Sequence, residues 1–466
     1  MKFLSHNTKE LSLFKLTWPL FLELFLFMLM GLADTFMLSA VSDDAVAGVG
    51  TANQYIQIAI LLLGVIGTGA SIVVSQYLGS RLLAEASKIA ALSVSLNLIV
   101  GLLISGLFIL FSDAIMKMMN LQGAVLESAQ NYLVIVGGFI FVQALITSMS
   151  SIIRVQGWTK QTMYVSLGMN VVHVILNYIL IFGKFGIPEL GVEGAAISSV
   201  ISRVLAAIVF FWLLYQALEV RIELADYYRL SKNYISKILK IGIPSALEQV
   251  LYQTNQIVLL FFVTFLGAEA LSARQYAVNI SMFTYLFALA IGMGTAIIVG
   301  RSVGAGEKDL AYKNVWFSVK SALIFTLAMV AIITVFREPL MRIFTDNEEI
   351  VRIGASVLLL SVLLETGRTI NITIINSLRA SGDASYPVRV GFISMILIGL
   401  SLGYFFVFVL DLGLVGVWLA IACDEWIRAV LMIFRWRSRK WERYAIVEQQ
   451  YDVPQPITKP EAVQTS

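Results

Sequence analysis

Charge is scarce in this sequence. Asp, Glu, Lys and Arg make up 14% of the chain, against about 25% in ordinary soluble proteins, while hydrophobic residues reach 58%. That deficit excludes a water-soluble globular fold. Cysteine is almost absent as well: the single copy, Cys423, can form no intrachain disulfide, says nothing about redox compartment, and reads as a small core residue. There is no G-x4-G-K-[ST] loop, which argues against ATP-driven work by this chain, and no HExxH, GxSxG or Cys–His metal pattern. The two histidines, His6 and His173, lie far apart. An enzyme, a resident cofactor and a nucleic-acid partner are therefore not expected.

What the sequence does have is long apolar runs. They lack the short alternating strands of a barrel, and in lipid every backbone polar group must be paired within the segment, so the spans are helices. A hydrocarbon core of roughly 30 Å takes about 20 helical residues. Runs of that length fall near 14–40, 53–78, 89–111, 129–153, 162–183 and 192–216, then near 237–266, 276–300, 314–336, 350–378, 387–410 and 413–434. Twelve spans are expected. Lys and Arg are sorted between the loops: 23 lie at the termini and in even-numbered loops, and five (Lys117, Lys184, Arg274, Arg337 and Arg342) in odd-numbered ones. The positive-inside rule then places both termini in the cytoplasm, for a multi-pass protein of the cell (inner) membrane surrounded by its lipids. Trp436 and Trp441, set among Arg435, Arg437, Arg439 and Lys440, are expected as interface anchors. The amino terminus leads straight into a full-length span, with no cleavable signal evident.

The chain also repeats itself. "KLTWPLFLE" from Lys15 and "KIGIPSALE" from Lys240 share Lys, Pro and Glu at one offset, 225 residues, and the same offset pairs Gly67 with Gly292, Gly69 with Gly294, Gly79 with Gly304, Arg154 with Arg379 and Gly157 with Gly382. Apolar composition alone has no reason to match Pro, Glu, Gly and Arg in register. Each half holds six spans, an even number, so the repeats run parallel, related by a pseudo-twofold axis along the membrane normal, as in transporters whose lobes rock against each other. The expected fold is an all-α membrane protein of two six-helix bundles: residues 1–216, a cytoplasmic linker 217–236, residues 237–436, and a cytoplasmic tail 437–466, disordered from about 445 onward where Pro454, Pro456 and Pro460 cluster. Gly64, Gly67 and Gly69, like Gly292 and Gly294, are expected at close helix contacts.

Several segments resemble one family. "P-x3-E" and "GLADTFM" in the first span, "GTGASIVVSQYLG" closing the second, "RVQG" after the fourth, "GVEGAAISSVIS" in the sixth, and then "GIPSALEQ", "GMGTAIIVGRSVGAG" and "LRASGD" in the second half are similar to the MATE (multidrug and toxic compound extrusion) family, over residues 13 to 436. The resemblance implies a cation-coupled antiporter exporting amphipathic or cationic organic compounds. It also implies that Asp34 of "ADT" belongs to a cation site in the first lobe. Many family members carry Asn and Asp where this chain has His173 and Asn177. That departure removes a carboxylate and adds an imidazole that titrates near neutral pH, which disfavours sodium, a hard ion seeking oxygen, and favours protons. Ser199, on one face with Ala195, matches another cation-site position.

Read from the residues alone, the ionisable groups inside the spans leave alternatives open. A carboxylate at membrane depth must be protonated, paired or hydrated, so Asp34 either lines a polar cavity that binds ions or caps a bend near the outer interface. His173 and Asn177, four apart, share a helix face; His173 is either a coupling group or a satisfied core histidine. Glu23 and Glu248 each follow a proline by four residues: they either sit in the helix dipole and pair with Lys15 and Lys240, or face each other across a substrate cleft or gate. Glu365 with Arg368, and Asp424 with Arg428 beside Glu425, are spaced for intrahelical pairs, with a second-lobe charge site as the other reading. Arg203 is expected to meet a carboxylate across helices. The function expected is alternating-access export of a small organic solute coupled to inward movement of H+ or Na+, by a monomer. Two alternatives are a lipid-linked oligosaccharide flippase of related architecture and an uncoupled channel or receptor.

Overall fold

The computed structural model describes residues 11–119 and 121–447. His6 and the proline-rich tail beyond 447 lie outside the described residues. The chain is almost wholly helical. Its long helices are α1 (Leu13–Ser39), α2 (Asp43–Gly79), α3 (Leu83–Met118), α4 (Gly123–Gly137 and Ile140–Val155, bent by 47° between them), α5 (Thr159–Ile181) and α6 (Gly191–Ala217), followed by α7 (Lys232–Thr264), α8 (Ala268–Gly304), α9 (Lys308–Val335), α10 (Glu348–Ala380), α11 (Ser385–Val409) and α12 (Gly413–Arg437). Nine of these described helices are long and apolar enough to cross a membrane, and the bent α4 pair makes a tenth. The other two, α7 and α12, carry the polar load: Glu248, Gln249, Gln253, Asn255 and Gln256 on one, Asp424, Glu425 and Arg428 on the other.

Local chemistry explains the ends and the breaks. Ser42 caps α2 by accepting from the Ala45 N–H at 3.0 Å, and Asn347 caps α10 through the Glu349 and Ile350 N–H groups. The bend of α4 follows a π-helical turn at Leu133–Gly137, where one extra residue per turn disrupts the ladder. Helices overrun the apolar runs that announce them, because polar first turns can stand outside the hydrocarbon; α8 begins at Ala268 rather than near 276. Arg274, expected in an external loop, therefore lies in the second turn of α8.

Contacts between the halves obey the 225-residue offset. The Gln76 amide donates to the Ala380 carbonyl at 2.7 Å, and the Arg301 guanidinium, 225 positions on from Gln76, donates to the Val155 carbonyl at 2.6 Å. A Cβ at Gly79 would collide with the Arg301 carbonyl oxygen, and one at Gly304 with that of Gln76. Each contact thus recurs with the halves exchanged, which is what a twofold relation between them requires. Among the described residues, the hydrogen bonds that cross between lobes, including Lys237 to the Tyr77 hydroxyl at 2.8 Å, sit at the end where α2 and α8 finish. This end is closed. Further along, the lobes touch through aromatic rings of α1 and α8, Phe21 on Phe287 and Phe25 on Phe283, each pair at 5.7 Å.

The segment after α12 departs from expectation. Trp436 and Trp441 are not interface anchors: both are fully buried and stacked at 4.2 Å. Beyond the short helix Lys440–Tyr444, the Ile446 N–H donates to the Gln76 side chain at 2.8 Å and Val447 packs into the first lobe's core. The described tail is a strap from the second lobe to the first. Cys423 is half-buried rather than core. Gly67, Gly69, Gly292 and Gly294 stand against neighbouring helices as expected, whereas Gly64 faces open space.

Candidate functional site

Three helices of the first lobe build a polar cluster inside an apolar bundle. α1 delivers Asp34, α5 delivers His173 and Asn177 on successive turns of one face, and α6 delivers Ser198 and Ser199. All five are buried. Asp34 Oδ1 accepts from the Asn177 amide at 2.6 Å and stands 3.4 Å from His173 Nε2, which in turn lies 3.1 Å from Ser199 Oγ. Ser198 donates to Asn177 Oδ1, orienting that amide toward the carboxylate, and also reaches the Ala195 carbonyl at 2.9 Å. The sequence pointed to Asp34, His173, Asn177, Ala195 and Ser199, and the structure brings them together. Asp34 does not cap a bend: it sits within an unbroken α1. Arg203, one turn beyond Ser199, lies close enough to Asp34 to act on it electrostatically without a direct ion pair. Ser198 was missed, although the serine doublet in "GAAISSV" announces it; so was Tyr132 of α4, buried in the core cluster that also holds Ala195.

The duplicated glutamates occupy equivalent clamps. Glu23 Oε1 pairs with Arg154 at 3.0 Å and accepts from Ser166 at 3.1 Å, while Thr162 donates to Oε2 at 3.3 Å. Glu248 pairs with Arg379, the equivalent of Arg154. Neither glutamate pairs with Lys15 or Lys240, and Glu23 does not face a cleft: it is 3% exposed, sealed inside its own lobe. The arginines reach the space between lobes instead. Arg154 and Arg379 line a cavity of about 260 Å3 shared with Thr68, Ser71, Gln249 and Asn376.

The second lobe holds a denser charge network. Glu365 pairs with Arg368 at 2.7 Å, and Arg428 with Asp424 at 2.9 Å and with Glu425 at 3.0 Å. Asn371 donates to Glu425 at 2.8 Å, and Ser394 to Asp424 at 2.5 Å. Arg428 also approaches Glu248 at 3.9 Å, tying the clamp to the network. The intrahelical pairs expected from spacing are present, and the structure adds the cross-links between them. Two adjoining cavities open beside these charges, one of about 290 Å3 and one of about 140 Å3, sharing Tyr252, Tyr285 and Arg368. The polar face of α7 that supplies Tyr252 and Gln256 was readable as an i,i+4 pair but was not singled out. No cluster able to hold a metal ion occurs among the described residues.

With that geometry in hand, comparison places the chain. The MatE family model matches residues 19–179 and 244–405, one match in each lobe. An uncharacterised transporter, YisQ of Bacillus subtilis, is 41% identical over 433 residues, covering 93% of this chain and 95% of that one. A probable multidrug resistance protein NorM of Thermotoga maritima is 28% identical over 443 residues, covering 94% of each. A solved MATE structure in the bent conformation superposes with a TM-score of 0.86 at 22% identity, covering 94% of this chain and 98% of that one. A family model that matches both lobes leads to one conclusion: the chain belongs to the MATE family of membrane transporters.

Proposed function

We propose that the protein is a proton-coupled antiporter that exports amphipathic or cationic organic compounds by alternating access. The observation that carries this reading is the state of Asp34. It is a buried carboxylate in the last third of a membrane helix, and its direct partners, Asn177 and His173, are an amide and an imidazole rather than an ammonium or guanidinium. Such a group is costly to keep charged in hydrocarbon and gains by taking a proton. A sodium ion would need a shell of oxygens, and the cluster offers one carboxylate, an amide oxygen already engaged by Ser198, and a Ser199 hydroxyl shared with imidazole.

The exchange follows from linkage. If solute binding is favoured by ionised Asp34 and opposed by its protonation, each ligand lowers the affinity of the other by the same factor. With the termini cytoplasmic by the positive-inside rule, the end latched by Gln76, Arg301 and the Gly79/Gly304 contacts is the inner one, and the conformation is outward-facing. Protonation from outside would release solute; opening of the latch would deliver the proton inside. The test is export of a fluorescent organic cation such as ethidium from proteoliposomes under an imposed pH gradient or an imposed sodium gradient. Drive by the pH gradient alone, lost in Asp34→Asn, is expected. Drive by sodium alone would reject the proton reading.

A further inference from the structure

Two segments cross between the lobes at the closed end, and the repeat makes them equivalent. The 225-residue offset sets Ile446 of the tail opposite Arg221 of the linker, two residues beyond Glu219. Each segment follows the last helix of one lobe and reaches the other lobe where α2 or α8 finishes. Glu219 acts electrostatically on Arg301, and the Ile446 N–H donates to the Gln76 side chain at 2.8 Å. They differ in one respect. The linker is joined covalently to both lobes and cannot leave, whereas the tail is joined to the second lobe alone.

The base of the tail is fixed to its own lobe. Trp441 donates to the Trp436 carbonyl at 3.1 Å, Arg435 pairs with Asp383 at 2.7 Å, and a Cβ at Gly382 would collide with the Tyr444 carbonyl oxygen. The crossing itself is made by two residues. Ile446 packs against Ile72 of the first lobe together with Ile241 and Ala384 of the second, and Val447 enters the first lobe's core. Gln76 is wholly buried, and both ends of its amide are taken by the second half of the chain: Nε2 donates to the Ala380 carbonyl at 2.7 Å, and Oε1 accepts from Ile446. With the base fixed, parting the lobes here must break both bonds and draw Ile446 and Val447 out of apolar surroundings.

We propose that Ile446 and Val447 form an autoinhibitory strap, a releasable contact that holds the inner end shut and lowers the fraction of molecules open to the cytoplasm. The inference rests on the reading of the chain as an alternating-access exporter with cytoplasmic termini. It adds to that cycle a control that neither proton nor solute supplies. Release of the strap frees Gln76 Oε1 but leaves the bonds of Gln76 to Ala380 and of Arg301 to Val155 in place. The strap therefore shifts the equilibrium without being the whole of the latch, by about fivefold for one hydrogen bond to a buried amide.

The test is the rate at which a membrane-impermeant maleimide, added from the termini side of full-length protein in liposomes, labels Ser71→Cys, with Cys423 replaced by serine. Ser71 lines the cavity between the lobes, so the reagent reaches it from that side when the latched end opens. Ile446→Pro removes the N–H that Gln76 accepts, and the backbone of Ala445 (φ −51°, ψ 132°) already has the extended ψ favoured before proline. It should label about fivefold faster than the parent. Val447→Ala, which leaves the backbone alone, should also label faster, and Ile446→Val, which keeps the N–H, should label at the parent rate. No gradient or solute is present, and Asp34→Asn should show the same acceleration by Ile446→Pro, so a failure of the coupling mechanism leaves this result standing. Parent rates in both Ile446→Pro and Val447→Ala would overturn the strap, as would a rise in Ile446→Val equal to that in Ile446→Pro.

Discussion

The two lobes share a frame and differ in what they put inside it. Both keep the Pro-x3-Glu element and the arginine that clamps it, Glu23 with Arg154 and Glu248 with Arg379. Beyond the clamp they exchange polarity position by position. Asp34 of the first lobe stands where the second has Leu259, buried in the core, while Arg274 and Glu365 of the second stand where the first has Val49 and Ile140. The first lobe sets one carboxylate, Asp34, among neutral direct partners; the second crosslinks three carboxylates with two arginines. The difference separates two uses of buried charge. A lone carboxylate with neutral neighbours can change protonation at modest cost to its surroundings, whereas removing one partner of a buried carboxylate–arginine pair leaves an uncompensated charge, so such pairs hold a lobe together.

That contrast can be broken from several directions, beginning with the largest effect. Arg428→Met should cost roughly 3–5 kcal/mol of stability, because it removes the cation that Asp424 and Glu425 share. Arg203→Met, which removes no direct ion pair, should cost much less. Thermal unfolding in detergent compares the two, and equal losses would erase the distinction between the lobes. Trp441→Ala removes a fully buried ring stacked on Trp436 and should cost about 3–5 kcal/mol; a change within error would show that the strap is not part of the folded core. Glu23→Gln and Glu248→Gln should cost similar amounts, about 1.5–3 kcal/mol each, if the clamps are equivalent structural devices. A selective loss of transport in only one of them would instead make that one functional. Smallest in stability but informative for the cycle, Gly79→Val or Gly304→Val should each prevent the close approach at the latched end. Labelling by a membrane-impermeant thiol reagent of a cysteine placed at Ser381 should then rise from the termini side, and by similar factors for the two variants.

Much of this was legible in the sequence, for physical reasons that can be named. Pro, Glu, Gly and Arg repeated at one offset because the helix entry, the clamp and the close contacts each need that residue type, and the contacts of Gln76 with Ala380 and of Arg301 with Val155 show the same symmetry in space. Asp34, His173, Asn177 and Ser199 could be gathered because residues at i,i+4 share a face and a carboxylate at depth needs partners. Other features were hidden. Glu23 finds Arg154 across 131 residues of chain rather than Lys15 nearby, and no local spacing encodes that. Arg274 was placed in a loop because a charge usually ends an apolar run, yet a helix can carry one where it lines a cavity. The tryptophans of the tail sit among basic residues, as interface anchors do, but stack inward because Ile446 and Val447 bring the chain back onto the first lobe.

Asp34 is the group whose proton is exchanged for solute in the proposed cycle, and the most direct measurement is the proton released when solute binds. In weakly buffered detergent solution, saturating the protein with ethidium at a pH where Asp34 is protonated should release about one proton per solute bound in the wild type and none in Asp34→Asn. An equal release from the variant would contradict the assignment and move the coupling elsewhere in the chain.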